Sequence, residues 1–359
     1  KKNTMFLTGT DEHGLKVEQA AKKKNMDTKK FVDEMSQNFK KLSKTLNLSN
    51  DFFIRTTDIF HKKASQHIWN ILNKNDQIYL DKYKGWYSVG DETYFSDEEI
   101  TTDDKTKKKI APTGNEVQWV EEESYFFKLS KWQDKLLEYY NKNPDFIGPE
   151  TRKNEVISFV KRGLNDLSIS RTTFSWGIEV PNDKKHVMYV WLDALINYLS
   201  ATGYPDKKYK KFWPANLHIV GKDIIRHHAV YWPAFLLAAD IEPPKRIFAH
   251  GWWTNEGKKI SKSLGNVIDP NEIIKEYGLD TFRFFLLREV PFGNDGDFSK
   301  KSLQRRINND LANDLGNLVQ RVLTIINKNL DGKLNKIKQI KENDKKLYEY
   351  PKEILKNIE

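Results

Sequence analysis

No cysteine occurs anywhere in the 359 residues. This excludes a disulfide framework, a thiol nucleophile and any cysteine-held zinc knuckle, and it suits a reducing compartment. Long hydrophobic runs are missing too. The longest apolar stretch, Ala229 to Ile241, contains Pro233 and Asp240 and is too short to span a bilayer, so no membrane partner is expected. Lys1-Lys-Asn-Thr4 leads straight into a strand-like run and does not resemble a signal peptide. The chain does not begin with methionine, and a further segment is expected upstream. No internal repeat is visible.

What is plentiful is lysine. The formal net charge is +10, which suits an anionic partner such as a nucleic acid. Asparagine and isoleucine look inflated alongside lysine, as an AT-biased genome would produce, so charge alone decides little. A chain of this length is expected to form about two or three domains.

One stretch organises the rest: Gly257-Lys-Lys-Ile-Ser-Lys-Ser-Leu-Gly-Asn266. Lys259 and Lys262 alternate with Ser261 and Ser263 between two glycines, after a strand-like run from Ile247 to Trp253. Such a loop can lay ammonium groups and hydroxyl donors along a polyphosphate. Taken alone it is also an ordinary solvated lysine turn.

Met5 to Thr10 reads as a β-strand that delivers Asp11 and His13 ahead of a long helical stretch, Leu15 to Leu46 with a break near Asp27. Open α/β sheets bind ligands at such strand ends. Phe52 to Leu80 reads as another helix passing into a strand at Gln77. Residues 82–150 have the texture of a small β-rich insertion. Leu167 to Arg171 alternates like a strand and ends on Arg171, and Val187 to Val190 reads as another. In the next helix Trp191, Ala194, Leu195 and Tyr198 share one face by their i, i+3, i+4, i+7 spacing. A strand at Leu217 to Val220 runs into Gly221 and Asp223, which suit close backbone approach to a nucleotide and acceptance from ribose hydroxyls. Ile224 and His228 lie one helical turn apart. From Lys300 the pattern is all-helical, with Leu311, Leu315, Leu318, Val322 and Ile325 in a stripe and Asn317 and Arg321 on another face.

Together, Thr8-Gly-Thr-Asp-Glu-His-Gly14, Glu122-Glu-Ser-Tyr-Phe-Phe-Lys-Leu129, Asn154-Glu-Val-Ile-Ser158, Leu167-Ser-Ile-Ser-Arg171, Val190-Trp-Leu-Asp-Ala194, Gly221-Lys-Asp223 and Lys259-Ile-Ser-Lys-Ser263 resemble the class I aminoacyl-tRNA synthetases, in their methionyl branch. The resemblance runs nearly the whole length and keeps the family's order. It implies an α/β fold with a Rossmann-type parallel sheet (1–81 and 151–246) split by a connective insertion (82–150). A stem-contact segment (247–299) and an incomplete all-helical anticodon-binding domain (300–359) would follow.

The resemblance also implies the reaction: methionine and ATP give methionyl-adenylate, and the methionyl group passes to the 3′ end of tRNA(Met). Lys259, Ser261, Lys262 and Ser263 would act on the leaving pyrophosphate, with Mg2+ accompanying ATP. Asp11 would hold the α-ammonium, and Trp191, Ala194, Leu195, Tyr198, Ile224 and His228 the side chain of L-methionine. Gly221, Asp223 and Trp253, with Lys262, would bind ATP. His13 and Arg171 would support the active site, and Asn317 and Arg321 would read the anticodon. The implied state is a monomer in the cytoplasm or an organellar matrix. No zinc is expected, as in the family's zinc-free bacterial or organellar type. The family's His-Ile-Gly-His signature does not occur in the chain, and this segment alone is expected to be impaired. A leucine, isoleucine or valine enzyme would need a larger insertion, and a cysteinyl enzyme would need cysteine-held zinc. The other alternative is a non-catalytic tRNA-binding paralogue.

Overall fold

The computed structural model describes residues 3–104, 106–260, 265–334 and 340–358, with the side chains of Lys259, Asn357 and Ile358 left aside. Two compact units form, residues 1–297 and 298–359.

The first unit begins with strand β1 (Leu7–Thr10), followed by helices α1 (Leu15–Lys23) and α2 (Thr28–Thr45). Asp27 caps α2 by accepting from the Lys30 backbone N–H at 2.9 Å, which explains the break read there. Phe52–Arg55, expected to be helical, is instead strand β2, parallel to β1 with Leu7 opposite Phe52 and Thr10 opposite Arg55. Parallel pairing with a distant strand decided this short aromatic run, and local periodicity carried no trace of it. Helix α3 (Ile59–Lys74) follows.

The insertion is a long antiparallel ribbon. β3 (Ile78–Ser88) pairs along its whole length with β5 (Val117–Phe127), while β4 (Thr93–Phe95) pairs with the end of β3. The tip is tied by Asp91, which accepts from Ser88 Oγ at 2.6 Å, Thr113 Oγ1 at 2.7 Å and Asn115 Nδ2 at 2.6 Å. Helix α4 (Gln133–Lys142), strand β6 (Ile147–Gly148) and helix α5 (Glu150–Lys161) return the chain to the body. Leu167 to Arg171 forms two short bridging pieces, so the single strand expected there is interrupted at Ile169.

Strand β7 (Asp183–Met188) leads into helix α6 (Val190–Ser200). α6 is buried on nearly every side, with Leu192, Ile196 and Leu199 fully enclosed, because apolar residues run all round it. Strand β8 (His218–Gly221) pairs in parallel with β9 (Ile247–His250), and β9 pairs with β6. The helix expected near Ile224 is tight at 222–224, widens into a π-turn over 227–231, and becomes regular in α7 (Trp232–Ala238). Strands β10 (Trp253–Asn255) and β11 (Lys258–Lys259) form a hairpin, and helices α8 (Pro270–Tyr277) and α9 (Leu279–Arg288) follow.

The second unit contains α10 (Lys300–Arg306), a widened π-turn over 307–316, α11 (Asn317–Leu330) and α12 (Glu342–Ile358). Ser299 caps α10 by accepting from the Ser302 backbone N–H at 3.0 Å. On α11 the apolar residues Leu318, Val322 and Ile325 are exposed.

Candidate functional site

The candidate residues lie at the carboxyl ends of the parallel strands. Gly221 ends β8 and Asp223 follows it, Gly251 to Trp253 follow β9, and Asp11 follows β1. A cavity of about 210 Å3 opens there, lined by Leu7 to Asp11, Ile54, Asn197, Tyr198 and Ile219. A larger one of about 650 Å3 adjoins, reaching from Asn3 along β1 to Trp213 and the exposed edge of β8.

The adjacent acids Asp11 and Glu12 have different fates. Glu12 is buried and satisfied: Arg55 donates to both its oxygens at 2.7 and 2.9 Å, and the hydroxyls of Thr10 and Thr57 add further bonds. Asp11 makes no side-chain hydrogen bond among the described residues, opens to the cavity and yet sits deep among protein atoms. Desolvation, and next the nearby Asp193 carboxylate, push its pKa up to about 6. A ligand ammonium would reverse that cost.

His13 lies below this loop, with Nδ1 at 2.6 Å from Asp193 Oδ2. The other Asp193 oxygen meets His61 Nε2 at 2.7 Å, and His61 Nδ1 meets Ser200 Oγ at 2.8 Å. Burial works to raise the Asp193 pKa, but the two histidines bring it down to about 2.

Tyr198, in the cavity lining with Asp11, belongs to an aromatic wall built behind it. Trp191 stacks on His227 with ring centroids 3.8 Å apart. Tyr198 and His228 Nε2 are 2.8 Å apart, and His228 Nδ1 is 3.0 Å from the Ile224 carbonyl. The carbonyl can only accept, so Nδ1 carries the proton and Tyr198 donates to Nε2. Burial holds His228 down to about 4 and, with His228 beside it, His218 to about 3. His227 is pushed well below the usual range for the same reason. The wall is therefore uncharged at neutral pH, and Ala194 and Leu195 are buried on the same helix. This combination can take a ligand with an ammonium at one end and a neutral, polarisable side chain at the other.

Asp223, just after β8, accepts from Trp252 Nε1 at 3.0 Å. A Cβ at Gly221 would come within 2.6 Å of Asp223 Oδ1, so a larger residue there would have to displace the Asp223 carboxylate. Trp253 opens β10, whose hairpin carries the lysine loop, and Asn255 Nδ2 donates to the Asn266 carbonyl at 2.7 Å across the loop's base. Lys259 closes the hairpin opposite Thr254, whereas Ser261, Lys262 and Ser263 lie outside the described residues.

Arg171 is fully buried, 4.3 Å from the Tyr94 ring and 4.6 Å from that of Tyr189. Its Nη1 donates to Ser168 Oγ at 2.9 Å and the Ser170 carbonyl at 2.6 Å, while Nε, 3.9 Å from Glu122 Oε1, and Nη2 have no hydrogen-bond partner among the described residues. It joins the insertion to the body, and the surface ion pair usual for a lone arginine does not describe it. Asn317 and Arg321 sit exposed on α11, one turn apart.

Sequence reasoning missed Asp193, His61 and Glu92. Burial pushes the Glu92 carboxyl up to about 7, against the pull of Lys16 in the first turn of α1, where Gly14 supplies no side-chain cap. No local pattern marks any of the three, since each has its partner on a distant element.

A cavity lined by residues of parallel strands and by Asn197 and Tyr198 of α6, with the Asp11 carboxylate at its edge, is the kind of site that α/β enzymes use. The chain belongs to the family described as "tRNA synthetases class I (M)", whose model matches residues 1–323. Relatives called methionine–tRNA ligase include one from Rickettsia bellii, 61% identical over 97% of this chain and 67% of its own length. One from Rickettsia felis is 61% identical over 92% and 64%, and one from Brucella suis 56% over 95% and 66%. The chain thus spans about two thirds of the length of the curated relatives it matches.

Among solved structures, the Mycobacterium tuberculosis methionyl-tRNA synthetase in complex with methionyl-adenylate matches with a TM-score of 0.95 and 51% identity, covering 100% of this chain and 71% of that one. The apo form of the same enzyme matches at 0.83 and 43%, covering 99% and 75%. The class I fold and the methionyl resemblance drawn from the motifs are borne out.

Proposed function

We propose that this chain carries the amino-acid-activating part of a methionine–tRNA ligase. One observation carries the reading beyond family membership: the cavity lining brings Asp11, a carboxylate with no side-chain hydrogen bond among the described residues, together with Tyr198, whose hydroxyl is bonded to a His228 held uncharged. Asp11 pairs with the methionine α-ammonium. Trp191, Ala194, Leu195, Tyr198, Ile224 and His228 enclose the thioether, which is unbranched, polarisable and neutral. With His228 neutral and Tyr198 committed as donor to it, the wall offers the side chain no charge of either sign to pair with. Lysine and arginine would pay desolvation without compensation there, as would an acidic side chain.

Gly221, Asp223 and Trp253 hold the adenosine of ATP. The methionine carboxylate attacks the α-phosphorus, forming the adenylate bond as the bond to pyrophosphate breaks. No side-chain nucleophile is needed, and the protein contributes in-line positioning and charge stabilisation. Lys259 and Lys262, with Ser261 and Ser263 and Mg2+ carried by ATP, take up the charge on pyrophosphate. His13 and Arg171 support the site. The methionyl group then passes to the 3′ end of tRNA(Met), whose anticodon bases meet Asn317 and Arg321 once splayed from the loop. The protein acts as a monomer in the cytoplasm or an organellar matrix, and without zinc.

The test is methionine-dependent ATP–pyrophosphate exchange in the chain and in a form extended upstream to the relatives' length. Exchange with methionine but not with leucine or cysteine is the expected result. Retained tRNA binding without exchange in the longer form would favour a non-catalytic tRNA-binding protein.

A further inference from the structure

The most enclosed charge in the first unit belongs to a residue that the proposed reaction leaves idle. Asp193 sits within α6, where Leu192, Ala194, Leu195 and Ile196 are all buried, and is itself 1% exposed. An ionised carboxylate in such a setting is costly unless its oxygens are paired. Each oxygen has one partner. Oδ2 takes His13, on the loop that carries Asp11, and Oδ1 takes His61, on α3. His61 continues to Ser200, the last residue of α6, and Ser200 Oγ donates to the Asn197 carbonyl at 3.2 Å. Asn197 and Tyr198 line the cavity together with Asp11.

The chain of bonds therefore starts beside the carboxylate at the pocket floor. It crosses α3 and returns to the helix that forms the pocket wall. We infer that Asp193 is a positioning residue for the amino-acid site: through His13 it fixes the loop presenting Asp11, and through His61 it fixes that loop against the wall helix. It touches no substrate. The inference rests on the proposed methionine site and adds the group that sets its geometry and field.

The arrangement makes a prediction that packing alone does not. The charged groups acting on Asp11 are Asp193 and Glu12, which disfavour its ionisation, and His61 and His13, which favour it. Glu92 and Tyr198 also lie within electrostatic range. Asp193 and His61 thus act on Asp11 with opposite sign although they are hydrogen-bonded to each other.

The experiment is methionine binding by the intact chain, followed by calorimetry or tryptophan fluorescence between about pH 4.5 and 8. In the unsubstituted protein, affinity falls on the acid side as Asp11 takes up a proton. Asp193→Asn is expected to weaken binding at pH 7.5 by about tenfold, through the slackened loop, and to move the acid limb to lower pH by about half a unit. His61→Asn, which keeps a donor near Asp193, is expected to move the limb to higher pH by a similar amount. Opposed shifts in two folded variants support the inference. Folded variants whose limbs do not move overturn it, even if affinity falls, because lost packing changes affinity without changing the Asp11 titration. If Asp193→Asn does not fold, the His61→Asn limb decides alone. An unsubstituted chain that binds no methionine at any pH overturns the proposed function itself.

Discussion

His13 and His61 share one carboxylate, whereas His218, His227 and His228 lie among rings, and all five are buried. Where a carboxylate lies within hydrogen-bond distance, the buried cluster stores charge: Asp193 stays ionised down to about pH 2. Where none does, burial wins, and His228 stays neutral down to about pH 4. Burial is nearly the same on both sides, so the electrical character of each wall is set by one aspartate. The charged side suits the polar end of an amino acid, and the neutral side its thioether.

The largest test of this contrast is Asp11→Asn. Methionine binding is expected to fall by about a hundredfold or more, the loss of a charge-assisted contact in a crowded site. The same variant is expected to be more stable. A raised carboxyl pKa is a cost to the fold, fully present above about pH 6 and relieved as pH falls toward 3.8. Because the group opens to the cavity and is screened there, the gain is about 1 kcal/mol, readable as a small rise in Tm at pH 7.5. Unchanged binding, or a lower Tm, would contradict the reading of Asp11.

The second test is pH itself. Below about pH 6, where Asp11 protonates, methionine affinity is expected to fall by about tenfold per pH unit. The histidine wall adds nothing to this limb, since His228 titrates near 4. Calorimetry at pH 5 and 7 checks it, and a midpoint near 7 would assign the limb to another group.

A smaller effect is expected from Tyr198→Phe. It strips His228 Nε2 of its donor and leaves a buried acceptor unpaired, at about 1–3 kcal/mol, shared between stability and methionine affinity. Chemical denaturation and calorimetry together separate the two. The smallest effect on methionine affinity, none, is expected from Arg321→Ala, which should weaken only tRNA binding in a filter assay.

Much of this site was legible because it depends on spacing. The face shared by Trp191, Ala194, Leu195 and Tyr198 follows from helical periodicity, and Asp11 from its place after a strand. What stayed hidden depends on topology. His61 and Asp193 are 132 residues apart, and a histidine within an apolar helix gives no local sign of its partner. Phe52–Arg55 misled for a related reason: its identity as a strand resides in β1, which it pairs with, and not in its own pattern.

Gly14 has a mechanical consequence. Its backbone adopts φ 109°, and a Cβ there would come within 2.1 Å of Glu92 Oε1, so the tip of the insertion plugs into a slot one hydrogen atom wide. Lys16 Nζ secures the joint by donating to the Gly90 carbonyl at 2.9 Å. The ribbon and the loop bearing Asp11 are thereby geared together, so a shift of either drags the other. A methyl group at position 14 would act as a wedge in that gear, disengaging the ribbon and shifting with it the loop that places Asp11 in the cavity lining.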